Sequence, residues 1–242
     1  MNWTRLALAA MLVWMMSVSG AGGAQAAGLQ ADFPDLLFFN GPRTEKKVAL
    51  TFDDGPDGFY TRKILDILRE NGIHATFFIV GRQAKKHPEV VKEIASGGHV
   101  LGNHTWGHHN LAKMTGQDVQ TEIAKTDEIL YSLLGYHPAL LRPPFGSTTA
   151  EVVEEAAAMQ YKVVNWSVDT RDWAGTPTSE ILEKVKQQVK PGAIILQHCA
   201  GGRQNDLSNT LAALPLIIAM LKEQGYTFVT VPELLNISGQ NE

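Results

Sequence analysis

Several familiar routes to stability and function are closed by what this sequence lacks. It has a single cysteine, Cys199, in 242 residues, so no intrachain disulfide can form and stability must come from a packed core. A lone cysteine of this kind reads as a small buried hydrophobe. Basic residues are not in excess: 21 Lys and Arg stand against 25 Asp and Glu, a formal charge of −4. With no basic run and no basic patch interleaved with aromatics, bulk electrostatics offers nothing to nucleic acid. Internal repeats, low-complexity tracts and interdomain linkers are also missing. At 44% hydrophobic residues, the chain has the length and composition of one domain with a sizeable core.

Long apolar runs are absent after the N-terminus. The segment from Leu6 to Val18 follows Arg5 and precedes Ala24-Gln25-Ala26. It is too short to span a bilayer comfortably, and the small-x-small tripeptide fits a cleavage site. The expectation is an export signal over residues 1–26, a secreted or envelope-associated product, and no stable membrane insertion once the signal is removed; a retained anchor is the weaker reading. Residues 27–44 then read as a leader, 45–235 as the catalytic domain and 236–242 as a C-terminal tail.

Within that domain two patterns alternate. Apolar, β-branched runs occur at 47–52, 75–80, 99–103, 138–141, 161–168, 193–197 and 226–231. Between them lie stretches with helical apolar spacing, such as Thr61–Asn71 with Ile64, Leu65 and Leu68 on one face and Gly72 as a stop signal. Alternation of this kind implies βα units and a mainly parallel sheet. About seven strands in a single α/β domain predict a distorted, incomplete (β/α) barrel, with an open sheet as the alternative.

The polar clusters fall in a pattern. "DDGPDG" follows the first run, "NHTWGHH" the third, "RPPFG" the fourth, "DTRDW" the fifth and "HCAGG" the sixth. All sit at strand C-terminal ends, which meet on one face of an α/β barrel. Asp53 and Asp54 are adjacent there and point different ways. Alone they would read as a capped turn. With His104 and His108, spaced i, i+4 and able to converge if their loop is helical, Asp54 completes a His₂Asp metal set that leaves positions open. Asp53 is then the candidate base toward a water, and His198 the candidate acid. Asp172 is a candidate to keep His198 protonated, and Arg142 to keep Asp53 ionised. Cys199 is a poor nucleophile beside His198, since neighbours on a strand face opposite ways.

These residues resemble the ordered motifs of the polysaccharide deacetylases, or NodB-homology family: "TFDDG" (51–55), "HTWGH" (104–108), "RPPFG" (142–146), "DTRDW" (169–173) and "ILQH" (195–198). The resemblance covers roughly 45–235. It implies a divalent metal, usually zinc though cobalt and others serve, and hydrolysis of acetyl groups on a polysaccharide partner. It makes Asp53 the base, Asp54, His104 and His108 the ligands, Arg142 the residue orienting Asp53, and Asp172 the tether of the acid His198. It places the Phe145 backbone N–H at the oxyanion and Trp173 and Leu196 around the acetyl methyl. Many members carry an acidic residue where this chain has Cys199. The expected substrate is an N-acetylated glycan, peptidoglycan ahead of chitin. The alternatives are an O-acetyl esterase of the acetylxylan type and a non-catalytic glycan-binding protein on the same fold.

Overall fold

The computed structural model describes residues 28–241; the expected signal segment lies outside them. In chain order the strands are β1 (Leu37–Phe38), β2 (Lys47–Asp53), β3 (Thr76–Ile79), β4 (Val100–Asn103), β5 (His137–Pro138), β6 (Leu140–Leu141), β7 (Lys162–Val164), β8 (Val168–Asp169), β9 (Ala193–His198), β10 (Thr227–Phe228) and β11 (Gln240–Asn241). In space the main sheet runs β1-β7-β6-β4-β3-β2-β9-β8, and β10 pairs with the start of β2. Every pairing in it is parallel. β5 and β11 form a separate antiparallel pair.

After β1 the α-helices are α1 (Tyr60–Asn71), α2 (Gly81–Lys86), α3 (Pro88–Ser96), α4 (Gly116–Leu134), α5 (Ala150–Ala158), α6 (Thr178–Gln188), α7 (Ser208–Glu223) and α8 (Val231–Leu235). The longer ones bury an apolar stripe against the core. α1 buries Ile64 and Leu68 and ends where Gly72 takes a left-handed conformation, its N–H reaching back to Arg69 and Leu68 carbonyls. α3 starts at Pro88 and buries Val90, Val91 and Ile94. Covered on both sides, β2 is buried from Val48 to Asp53. The largest core cluster joins it to β3 and β9 through Leu50, Phe52, Phe77 and Ile195.

The curl of the sheet is completed by one irregular segment. Residues 162–169 pair with β6 through their first half and with β9 through their second. Between the halves, at Asn165–Ser167, the strand pairing breaks. There the buried guanidinium of Arg142 donates from Nε to the Val164 carbonyl (2.9 Å) and from Nη2 to the Asn165 carbonyl (3.1 Å). A side chain thus satisfies backbone acceptors that a neighbouring strand would otherwise take.

The incomplete α/β barrel expected from the sequence is present, with adjustments. The run at 138–141 is two short strands, because the Ala139 N–H turns to the Gly239 carbonyl. The last run shortens to β10, and Thr230 instead caps α8 in a reciprocal pair with Glu233. Residues set apart as leader and tail belong to the fold: fully buried Leu37 lies in β1, and β11 pairs with β5. Two-residue strands are too short to show a period in sequence.

Candidate active site

Parallel register brings the motif residues together. Asp53, the last residue of β2, stands opposite His198, the last of β9. Asn103 at the end of β4 stands opposite Leu141, which precedes Arg142. The β2, β4, β6, β8 and β9 ends therefore open on one face.

The ligand set is built by backbone that leaves regular geometry. Asp54 (φ 70°) and His108 (φ 58°) both occupy the left-handed region, which costs non-glycine residues free energy and concentrates at functional sites. The loop is not helical between His104 and His108. Instead the Asn103 side chain accepts the Thr105 N–H (2.8 Å), and Thr105 Oγ1 accepts the His108 N–H (3.1 Å). That tight turn carries His108 back toward Asp54: its Nε2 lies 3.1 Å from Asp54 Oδ1, and His104 Nε2 lies 3.5 Å from the same oxygen.

Lone-pair chemistry tests whether a cation suits these groups. His104 Nδ1 is 2.6 Å from the Arg142 carbonyl, which only accepts, so Nδ1 carries the proton and a neutral ring presents a bare Nε2. That lone pair faces Asp54 Oδ1, a buried oxygen with no hydrogen-bond partner among the described residues. His108 adds a third donor, and the three ligand atoms lie within 4.8 Å of one another. Converging acceptors of this kind fit a divalent cation.

Asp53 lies beside this set and is held differently. Arg142 Nη1 donates to its Oδ1 at 2.7 Å and to Thr51 Oγ1 at 2.8 Å. Burial pulls the pKa of Arg142 down, and the charge and hydrogen bond of Asp53 oppose it. The free Oδ2 is 3.8 Å from His104 Nε2. Across the face, burial disfavours charge on His198, but Asp172 overcomes it, with Asp54 and Asp53 assisting, and the imidazole pKa is pushed up to about 9.

Phe145, Trp166, Trp173 and Leu196 line the cavity of about 620 Å³ that these polar groups face, with Asp169 and Arg203 also on its wall. Phe145 (φ 63°) sets its ring edge-on to His108, centroids 4.7 Å apart. Cys199 is buried; its thiol donates to the Asp53 carbonyl and burial raises its pKa well above the ordinary value. It is a packing residue. Sequence reasoning missed Thr210, whose hydroxyl donates to Asp172 Oδ2 at 2.9 Å from the buried side of α7. It also missed Trp166 at the break in the sheet and the role of Arg142 across that break.

A curled parallel α/β sheet with a His₂Asp set, a second clamped carboxylate and a tethered histidine at its strand ends defines a hydrolase of the metal-dependent barrel type. The family model for polysaccharide deacetylase matches residues 40–164, and the chain belongs to that family. A peptidoglycan-N-acetylglucosamine deacetylase of Bacillus cereus is 44% identical over 204 residues, 84% of this chain and 74% of the relative. The crystal structure of a peptidoglycan N-acetylglucosamine deacetylase bound to 4-naphthalen-1-yl-N-oxidanyl-benzamide superposes with a TM-score of 0.84 at 42% identity, over 88% of this chain and 98% of that one. A CE4 family pseudoenzyme from Bacillus anthracis gives 0.76 at 31% identity, over 82% and 68%. No helix among the described residues is long and apolar enough to cross a membrane.

Proposed function

We propose that the protein removes N-acetyl groups from peptidoglycan at the cell envelope, using Asp53 as base and His198 as acid. One observation carries this reading. Two titratable groups opposite each other in the strand register have partners of opposite charge: Asp53 Oδ1 accepts from the Arg142 guanidinium, and His198 Nδ1 faces the Asp172 carboxylate. Paired groups driven apart in this way suit acid and base roles in one reaction. The reaction class of the relatives, deacetylation of peptidoglycan sugars, agrees with it.

In this mechanism the acetamide enters the pocket with its methyl against Trp173 and Leu196. Asp53 Oδ2 takes a proton from the attacking water, while Arg142, bonded to Oδ1, keeps the carboxylate aimed. The carbonyl becomes a tetrahedral oxyanion beside the Phe145 backbone N–H. His198 Nε2 then gives its proton to the sugar nitrogen, the C–N bond breaks, and acetate and a free amine leave. Asp54, His104 and His108 would hold a divalent cation, zinc foremost with cobalt able to serve, which would supply Lewis-acid polarisation. The catalytic domain on this reading is the one assigned from the sequence, joined by β1 and β11, and the N-terminal segment directs export.

Acetate release from N-acetylated peptidoglycan, chitooligosaccharides and acetylated xylan, with added zinc and with chelator, tests this. Chelator-sensitive release from peptidoglycan above the other polymers is expected. Release from xylan alone would move the assignment to an O-acetyl esterase. Binding of peptidoglycan without acetate would move it to a glycan-binding protein.

A further inference from the structure

The groove does not end at the ligand set. Beyond Asp54 and His108 lies a second depression of about 390 Å³, lined in part by Val80, Arg82 and Gln83. The two depressions share Asp54 and His108, so two arms of the groove meet at the reacting centre. Each arm carries an exposed arginine: Arg203 from the loop after β9 and Arg82 from the first turn of α2.

Neither arginine is used up by the fold. Arg82 commits one N–H to the Gly107 carbonyl, which leaves the rest of its donor fork available. Among the described residues, the arginines within 4.0 Å of a carboxylate are Arg62, Arg69 and Arg142. A chain with a net charge of −4 thus places in each arm an arginine that has no carboxylate within 4.0 Å among the described residues. One opposing charge is present: Asp169 lines the same arm as Arg203, with its Oδ1 accepting the Arg171 N–H.

We infer that the groove selects a glycan in which the reacting N-acetyl sugar is flanked on both sides by sugars bearing anionic substituents, with Arg203 and Arg82 as the specificity-determining residues against a neutral N-acetylated polymer. The inference rests on the deacetylase reading above for the identity of the central sugar. A polymer whose charged and reacting sugars alternate would meet a cation in each arm at once. The arginines are exposed, so each contributes modestly and the selection weakens with salt.

The test uses the intact zinc-loaded protein and two soluble ligands of equal sugar number: peptidoglycan strands bearing peptide stems, and chitooligosaccharides. Dissociation constants are measured by calorimetry at low and high salt, with acetate release in parallel. Arg82→Gln and Arg203→Gln should each lower the affinity ratio of anionic to neutral ligand by about two- to five-fold, and the double variant by more. Raising salt should erode the ratio in the parent and much less in the double variant. Asp169→Asn, which keeps the acceptor for Arg171, should raise it. A parent without preference, an unchanged ratio in the variants, or equal weakening for both ligands would overturn the proposal. Selective binding without acetate from either ligand would sustain the charge selection and sink the deacetylase reading instead.

Discussion

Asp172 grips His198 twice: its Oδ1 lies 2.8 Å from the ring Nδ1, and its Oδ2 accepts the backbone N–H of the same residue at 2.9 Å. The Trp173 N–H and the Thr210 hydroxyl occupy the remaining acceptor positions. The contact commits Nδ1–H to Asp172 and leaves the Nε2–H of the protonated ring to face the cavity. A histidine so oriented donates from one defined atom.

The pH dependence of turnover follows from that grip. With its pKa at about 9, His198 is protonated at neutral pH, and the acid form is lost as pH rises through that value. In Asp172→Asn, burial continues to lower the pKa and its main opponent is gone, so the basic limb of the kcat profile should move down by about one unit or more. A pH–rate series on parent and variant reads this directly. A limb that stays in place would remove the pair from the acid role.

Asp53→Asn should separate chemistry from metal binding. Loss of the base is expected to lower kcat by about 10²- to 10⁴-fold, while metal analysis still finds the parental stoichiometry. The same change strips fully buried Arg142 of its anion, and an uncompensated buried charge costs about 3–5 kcal/mol. The variant should therefore melt well below the parent. Full activity, or an unshifted melt, would contradict the clamp described here.

His104→Ala and His108→Ala should lose metal and activity together, since each removes one of the converging donors. Competitive titration with a chromophoric chelator gives the affinities without relying on turnover. Parental affinity in His104→Ala would refute the ligand assignment. The weaker burial of His108 makes it the milder of the two losses.

Stability should fall in mild acid for a reason remote from the site. Burial, with the charge of His74 adding to it, pushes the His99 imidazole down to about 4 from 6.5, and its Nδ1 accepts the Ala75 N–H at 3.1 Å. The unfolded chain takes up this proton below pH 6.5 while the folded chain refuses it until about 4. The contribution is complete above 6.5 and is lost as pH falls toward 4. Melting temperatures measured across that window should decline less steeply in His99→Asn than in the parent.

The sequence made much of this legible. Polar clusters at the ends of apolar runs mark one face before any coordinates are seen, because strand direction alone puts Asp53, His104, Arg142 and His198 there. What it could not show depends on packing across distance. The convergence of His104 and His108 comes from a left-handed turn held by Asn103 and Thr105, not from helical spacing. Thr210 reaches Asp172 from a helix with no motif of its own. β1 is two residues long, below the reach of any periodicity.

Arg142 ties the base on β2 to the carbonyls of Val164 and Asn165, where the sheet curls onto itself. One side chain therefore couples the closed seam to the position of Asp53. Opening of the seam is expected to release Asp53 while most helices and the largest apolar cluster persist. Under rising denaturant, inactivation should run ahead of the loss of helical signal, and the enzyme acts as a gauge of its own local opening.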